Sequence, residues 1–499
     1  MFDSSGIERD ERGIAHYTGL ADSLVAMLRE TVERFGDREA LVELGGERLT
    51  YRELWRRAAR VAGGLRSAGI SRGDRVANLL PAGVDWVLAF LGTQLAGAVA
   101  VPVNTRLAPP EVDYVLADSG AAFTFRPGTA LPDGEPFAVD DLSREEVSAI
   151  FYTSGTTGRP KGAMTTHENF LSNVENVCRV KGIDPETGWQ TRNLVSVPLF
   201  HVTGCNTQLL LQLSYGGATV VMPKFDVRQF LRTIAQERIS LFTTVPAIYA
   251  LALKQPDFGE FDTSSVRHLS YGGAPMAPAL VERIKAAFPQ ARVGNSYGLT
   301  ETSSITTFLP HEHSVEHADS VGFPAPVIDV ALHEPDPNTG VGELLVRGPN
   351  VVAGYWNKPE ATGSTFVDGW LHTGDLARIA GNGLVHLVDR AKDVINRGGE
   401  NVYSVEVENA LAAVPGVVEA AVVGVPDDVM GEKVGAVIVA DEEFDTEQLL
   451  GHLAEQLADF KIPQFLHLSD RPLPRNPGGK LLKRDLRNTS TWRGPLWGR

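Results

Sequence analysis

"YTSGTTGRPKG", Tyr152 to Gly162, places three glycines, four serine or threonine hydroxyls and one lysine in a single run. Glycines let a backbone turn sharply and bring its amides close to a phosphate. Gly155 and Gly158 supply that freedom, Thr153, Ser154, Thr156 and Thr157 supply neutral donors, and Lys161 adds a mobile positive charge. The run follows the apolar "AIF", which reads as the end of a buried strand, where α/β sheets place their ligands. The chemistry this composition suits is grip on a phosphate. It is not a Walker A loop, which puts its lysine directly after a glycine and before a hydroxyl residue. Lys161 stands between Pro160 and Gly162, and the proline disfavours a helix running straight through. A P-loop kinase or GTPase is therefore not expected.

The elements that hold this run belong to a chain of 499 residues, long enough for two or more domains. Acidic residues outnumber basic ones 62 to 46, a net charge of -16, which argues against general nucleic-acid or anionic-membrane binding. An anionic ligand must then be met by local donors. The two cysteines, Cys178 and Cys205, form no CxxC motif, and a reducing cytoplasm is the expected compartment. Neither terminal segment reads as a targeting signal. The uncharged stretch Trp86 to Val103 is long enough to suggest a membrane span, but its polar residues, glycines and Pro102 favour a buried helix, residues 84–96, and then a buried strand, residues 98–103. "HEHSVEH" sets His313 and His317 at a metal-compatible i, i+4 spacing; the HExxH pattern is absent and a surface loop is expected.

Up to about residue 390, short apolar strands ("NLVSVPLF", "TVVMP", "LFTTVP", "VRHLSYGG") alternate with amphipathic helices ("DVRQFLRTIAQER", "APALVERIKAAF"). In the helix "YRELWRRAARVAGGLRSAG", Leu54, Ala58, Val61 and Leu65 share one face. This predicts an α/β class: a large N-terminal domain, residues 1–389, of packed mixed and parallel sheets with helices. A small α+β domain, residues 390–499, is expected to follow.

Further motifs stand in a fixed order after the first: "SYGLTETS", "GWLHTGDLARI", "DRAKDVINRGGENVYSVEVE" and "LPRNPGGKLLK". With Tyr152 to Gly162 they resemble the adenylate-forming superfamily of acyl- and aryl-CoA synthetases, nonribosomal peptide adenylation domains and luciferases. "VPVNTRLAPPEVDYVLADSGA" and "PGVVEAAVVGVPDDVMGE" are most similar to bacterial fatty-acid and medium-chain acyl-CoA ligases.

The resemblance implies ATP, Mg²⁺ and coenzyme A as the small molecules handled, and residue roles to match. The Tyr152 to Gly162 loop is to hold the β- and γ-phosphates. Thr300 donates to the α-phosphate and Glu301 ligates Mg²⁺. Tyr297 stacks on adenine, beside Gly298, with Gly272, Gly273 and Ala274 lining the base pocket. Asp375 takes the ribose hydroxyls and Arg390 adds a contact there. Lys480 reaches between the carboxylate and the α-phosphate. The small domain is to rotate about Lys392, bringing Gly398 and Gly399 to a pantetheine channel. His201, in "PLFHVTG", lines the acyl pocket and gates thiol entry, and no aspartate waits there for a substrate amine.

The implied substrate is a small-molecule carboxylic acid, with an apolar acyl chain preferred and an aryl acid as the alternative. Coenzyme A is the preferred acceptor, with a carrier protein or another nucleophile as the alternative; a homodimer is allowed. A luciferase-like oxygenase and a non-catalytic binding protein are the readings from other classes. Two residues depart from the family pattern: Arg397, near the pantetheine channel and so bearing on the thiol step, stands where serine or lysine is common, and Ser404 stands where proline is frequent.

Overall fold

A computed structural model of the chain describes residues 2–153, 159–273, 276, 278–475, 481–494 and 496. It forms two compact units, Met1–Val330 with Val346–His372, and Ala331–Leu345 with Thr373–Arg499. The sequence suggests a division at residue 389; by contacts, residues 331–345 and 373–389 also group with the second unit.

In the first unit a nine-stranded sheet runs in the order Phe323–Pro324, Thr307–Leu309, Arg292–Tyr297, His268–Gly272, Leu241–Thr244, Arg192–Val195, Ala218–Val221, Glu39–Glu43, Arg48–Thr50. The six strands from Arg292–Tyr297 to Glu39–Glu43 are parallel. Parallel strands need crossovers, so helices cover both faces and the strands read as apolar runs. On one face Leu194, Val220, Phe242 and Leu269 pack with Phe230, Tyr249 and Phe288 in a continuous core. The other face carries a π-helical stretch, Thr203–Leu209, continued by helix Leu210–Tyr215 and packed against helix His167–Lys181.

A second sheet has the order Phe123–Phe125, Arg75–Asn78, Val99–Pro102, Val147–Thr153, Lys161–Thr166. Its last pair is antiparallel, and Thr153 faces Lys161 across the mouth of the glycine-rich run. The uncharged stretch resolves into helix Val84–Leu95 and strand Val99–Pro102, both buried. Apart from the exposed Asp85 in its first turn, the helix is buried on every face, so its apolar residues lie all round it. It lies so close to helix Tyr51–Ser67 that a Cβ on Gly92 would sit 2.5 Å from Val61 Cγ1. Leu54, Ala58, Val61 and Leu65 are buried, and Thr50 with Glu53 closes the N-terminus of their helix by a capping box. No helix among the described residues is long and apolar enough to cross a membrane.

The second unit is α+β. Strands Glu400–Val402, Ile395–Arg397, Gly431–Ala440 and Val417–Asp427 form a sheet in that order, with Phe465–Ser469 also on Gly431–Ala440. Helices Ser404–Ala412 and Thr446–Ala454 close its core through Val407, Leu411, Leu449 and Leu453.

Candidate active site

Lys161 and Glu301 come from segments far apart in the chain, and one tyrosine joins them. Lys161 Nζ lies 4.9 Å from the ring centroid of Tyr355, whose hydroxyl donates to Glu301 Oε1 at 2.7 Å. The segment that carries Tyr355 pairs along strand Lys161–Thr166: Met164 N donates to Gly354 O and Trp356 N to Gly162 O. Burial, and then the charge of Glu301, push the tyrosine hydroxyl well above its ordinary pKa, so it stays a donor. Among the described residues, no carboxylate pairs with Lys161 and no cationic side chain pairs with Glu301. Sequence reasoning missed Tyr355, since "GYWNKPE" carries no periodicity or spacing that points to either partner.

Thr300 and Glu301 sit in a short 3₁₀ turn, Thr300–Thr302, fixed by buried asparagines. Asn350 Nδ2 donates to Thr302 O and Ile305 O, Asn206 Nδ2 donates to Ser303 O, and Asn173 Oδ1 accepts from Ile305 N. This support holds Ser303 and Ser304 at φ 55° and 120°, rare for residues with a Cβ. Gly298 cannot be replaced here: a Cβ would lie 1.4 Å from Ser304 O. Tyr297 ends strand Arg292–Tyr297, and its neighbour Ser296 faces Gly272 in register on the adjacent strand. Gly272 allows that approach, because its Cβ would meet Ser296 O at 2.3 Å. Gly273 has φ 75°, and a Cβ there would meet only Val245 Cγ1, at 3.9 Å, among the described residues.

The feet of the glycine-rich run are anchored by a network that sequence reasoning also missed. Tyr152 Oη donates to Asp118 Oδ2 at 2.8 Å, and Lys358 Nζ pairs with Asp118 Oδ1 at 2.6 Å. Tyr114 Oη donates to Pro160 O at 3.2 Å, so both ends of the run are tied to helix Pro109–Ser119.

His201 is half-buried just before the π-helical stretch. Its carbonyl accepts from Cys205 N, and its ring lies 4.7 Å from that of Phe200. A π-helix is rare and often marks a functional position. Here it aims Asn206 and Thr207 at the turn that follows Glu301.

In the second unit Asp375 and Arg390 face each other across antiparallel strands, and Arg390 Nε donates to Asp375 Oδ1 at 2.8 Å. Lys392 is exposed in the turn after that hairpin. Gly398 and Gly399 are the two central residues of a hairpin turn, with φ 63° and 95°. Two positive φ values are what a type I′ turn demands, so this pair has a structural role of its own. Ser404 N donates to the carboxylate of Asp389, which a proline could not do, and Ser404 Oγ accepts from Lys483 Nζ at 2.6 Å. Lys483 also pairs with Glu408 at 2.7 Å. Arg397 Nε reaches Gln464 Oε1 at 3.5 Å.

Ser154, Gly155, Thr156, Thr157, Gly158, Ala274 and Lys480 lie outside the described residues. Among the described ones no three metal-binding side chains cluster. The donor set around Glu301, a single carboxylate already oriented by one hydroxyl, fits magnesium, which binds through one or two carboxylates plus phosphates. The histidines of "HEHSVEH" serve structure: His311 Nδ1 accepts from Val293 N, and the rings of His313 and His317 lie 5.7 Å apart. Cys178 and Cys205 are buried free thiols.

Comparison with known proteins identifies the family. The AMP-binding enzyme model matches residues 28–140 and 126–356, and the AMP-binding enzyme C-terminal domain model matches 406–480. A feruloyl-CoA synthase from Amycolatopsis sp is 40% identical, over 91% of this chain and 96% of its own. The long-chain-fatty-acid–CoA ligase FadD13 of Mycobacterium tuberculosis is 36% identical over 92% and 97%. The fatty acid–[acyl-carrier-protein] ligase ScoC of Streptomyces coeruleorubidus is 36% identical over 89% and 92%. The solved structure of o-succinylbenzoate CoA synthetase (MenE) from Bacillus subtilis, in complex with its acyl-adenylate intermediate, superposes with a TM-score of 0.84 at 30% identity, over 94% of this chain and 98% of that one. The chain belongs to the AMP-binding enzyme family, among its acyl- and aryl-CoA ligases.

Proposed function

We propose that this enzyme uses ATP to activate a largely apolar carboxylic acid, fatty or aryl, and passes the acyl group to coenzyme A. The observation that carries the reading is the Lys161–Tyr355–Glu301 arrangement. A cation and a carboxylate flank one aromatic ring at the edge of a glycine- and hydroxyl-rich run, and among the described residues neither is neutralised by an opposite charge.

A carboxylate is a poor electrophile because its oxygen leaves badly. In the first step a carboxylate oxygen attacks the α-phosphorus of ATP; the new P–O bond forms as the bond to pyrophosphate breaks. Both partners are anionic, so positioning and charge neutralisation dominate. Lys161 and the hydroxyls of Thr153 to Thr157 take the departing phosphates, Thr300 donates to the α-phosphate, and Lys480 bridges it to the carboxylate. Glu301 holds Mg²⁺, which neutralises polyphosphate charge when bound. Tyr297, Gly298, Gly272, Gly273 and Ala274 take the adenine, and Asp375 with Arg390 takes the ribose. In the second step the thiol sulfur attacks the acyl carbon, and the bond to the phosphate oxygen of AMP breaks.

The second step assigns Lys392 as the hinge, Gly398 and Gly399 as the channel, and His201 as the gate on the acyl pocket. Lys392→Pro is expected to leave adenylation intact and to reduce thioester formation at least tenfold; normal overall turnover would remove the hinge role. A carrier protein is the second candidate acceptor, supported by the likeness to ScoC. Cytoplasmic residence and a homodimer accompany this reading. The decisive test is carboxylate-dependent ATP–pyrophosphate exchange over fatty, cinnamic, benzoic and amino acids, followed by release of free acyl-CoA. Exchange without acyl-CoA would favour the carrier protein; no exchange with any acid would end the reading.

A further inference from the structure

Lys181 ends helix His167–Lys181 with its side chain turned inward. The residue is 5% exposed, and Nζ donates to Thr243 Oγ1 at 2.9 Å. Among the described residues no carboxylate pairs with it. Burial pushes its amine down to about 7, and a methionine would fill similar space without that penalty. Nothing in the proposed chemistry uses this amine.

Its surroundings are polar and short of partners. Thr243 and Ser270 are in register on adjacent parallel strands, so both side chains leave the sheet on one face. Among the described residues Ser270 Oγ is buried with no hydrogen-bond partner, as are both polar side-chain atoms of Asn193 on that same face. The π-helical stretch forms the facing wall. Gln208 Nε2 donates to Thr243 O, while Gln208 Oε1 and Asn206 Oδ1 lack partners among the described residues. His268, two residues before Ser270, is pushed down to about 4, first by burial and then by Lys181. Buried polar groups are normally satisfied, so several unsatisfied ones on one face call for an occupant.

This layer is continuous with the candidate site. At its upper end Asn206 and Thr207 bind Ser303 and Ser304, two and three residues after Glu301. Gly272 is two residues beyond Ser270 on the same strand, about 7 Å further along the same face. A strip of polar atoms thus runs from the Thr300–Ser304 turn, between π-helix and sheet, down to the buried amine.

We infer that Lys181, with Thr243 and Ser270, recognises an oxygen-bearing group at the far end of the acyl chain, so that the preferred acid is oxygenated and not plain alkyl or phenyl. The inference rests on the reading that this site activates a carboxylic acid. An oxygen at that depth accepts from the amine and pairs with Ser270; a hydrocarbon end leaves the amine with Thr243 alone and gives Ser270 nothing to bond. Sites built around such a bond reject the analogue that lacks it far more strongly than an apolar pocket rejects a change of size.

The test compares acids matched in length: para-hydroxycinnamic with cinnamic, and an ω-hydroxy fatty acid with its parent. kcat/KM in pyrophosphate exchange is the readout. The wild type is expected to prefer one oxygenated member by at least about tenfold, and Lys181→Met to erase that preference. Ser270→Ala is expected to reduce it, and reads the same preference should Lys181→Met fail to fold. Equal use of both members, as expected if the layer only holds water, overturns the recognition role and leaves acid activation standing. So does a Lys181→Met enzyme that keeps the preference. Exchange with none of the four acids nor with any other acid removes the activation reading, and this inference with it.

Discussion

Lys483 of the second unit and Lys181 of the first are both largely withdrawn from solvent, yet among the described residues only Lys483 meets a carboxylate. The contrast extends to the other charges of interest. In the second unit Asp375 pairs with Arg390 and Asp389 takes Ser404 N, so opposite charges and backbone donors close the account. In the first unit, among the described residues, Lys161 faces an aromatic ring, while Glu301 and Lys181 each meet a single hydroxyl. A buried charge with an opposite partner is satisfied by the fold itself. One held only by neutral groups keeps most of its field available to a ligand, which is why perturbed, unpaired groups collect at functional sites.

Substitutions can break or sharpen this contrast. The largest effect is expected from Glu301→Gln, which keeps the shape and the acceptor for Tyr355 but removes the charge: pyrophosphate exchange should fall at least about a hundredfold. Activity within a factor of three of wild type would mean that Glu301 is held for the fold. Tyr355→Phe, which loses only the hydroxyl to Glu301, should reduce exchange at least about tenfold, from a hydrogen bond to a charged group worth about 1.5–3 kcal/mol. Tyr355→Leu also removes the ring over Lys161 and should cost more; equal losses in the two variants would show that the ring contributes nothing.

The third concerns Lys181 and pH. Its amine titrates near 7 when folded and near its ordinary 10.5 when unfolded. Between those values the unfolded chain binds more protons, so this group makes stability rise with pH over that window. The thermal midpoint of Lys181→Met should accordingly exceed that of wild type near pH 7, with the gap narrowing as pH rises toward 10; a constant gap would place the amine in water. The smallest effect is expected from Ser404→Ala. Lys483 keeps Glu408, so about 1 kcal/mol or less should be lost in denaturant unfolding. A loss several times larger would mean that the second unit depends on that hydroxyl more than on its ion pair.

Much of this was legible beforehand. Strands such as "LFTTVP" and helices such as "YRELWRRAARVAGGLRS" announce themselves by local periodicity, and the order of motifs pointed to the family. Tyr355, Asp118, Lys358 and Lys181 stayed hidden. Each acts through a partner distant in sequence: Lys358 reaches Asp118 across 240 positions, and Lys181 reaches Thr243 across 62. No local pattern marks such a pair. The pairing of Asp375 with Arg390 lies between, since both motifs were visible but only the strand register sets them face to face.

The sequence by itself determined the α/β alternation, the glycine- and hydroxyl-rich run and its difference from a Walker A loop, and the residues able to meet a nucleotide. These depend on residue type and short spacing, which backbone sterics and side-chain chemistry convert directly into local structure. Only the tertiary structure decided which charges find opposite partners and which are left with a ring or a hydroxyl. That outcome depends on packing between distant segments, and it is what separates a lysine that holds the fold from one left to meet a ligand.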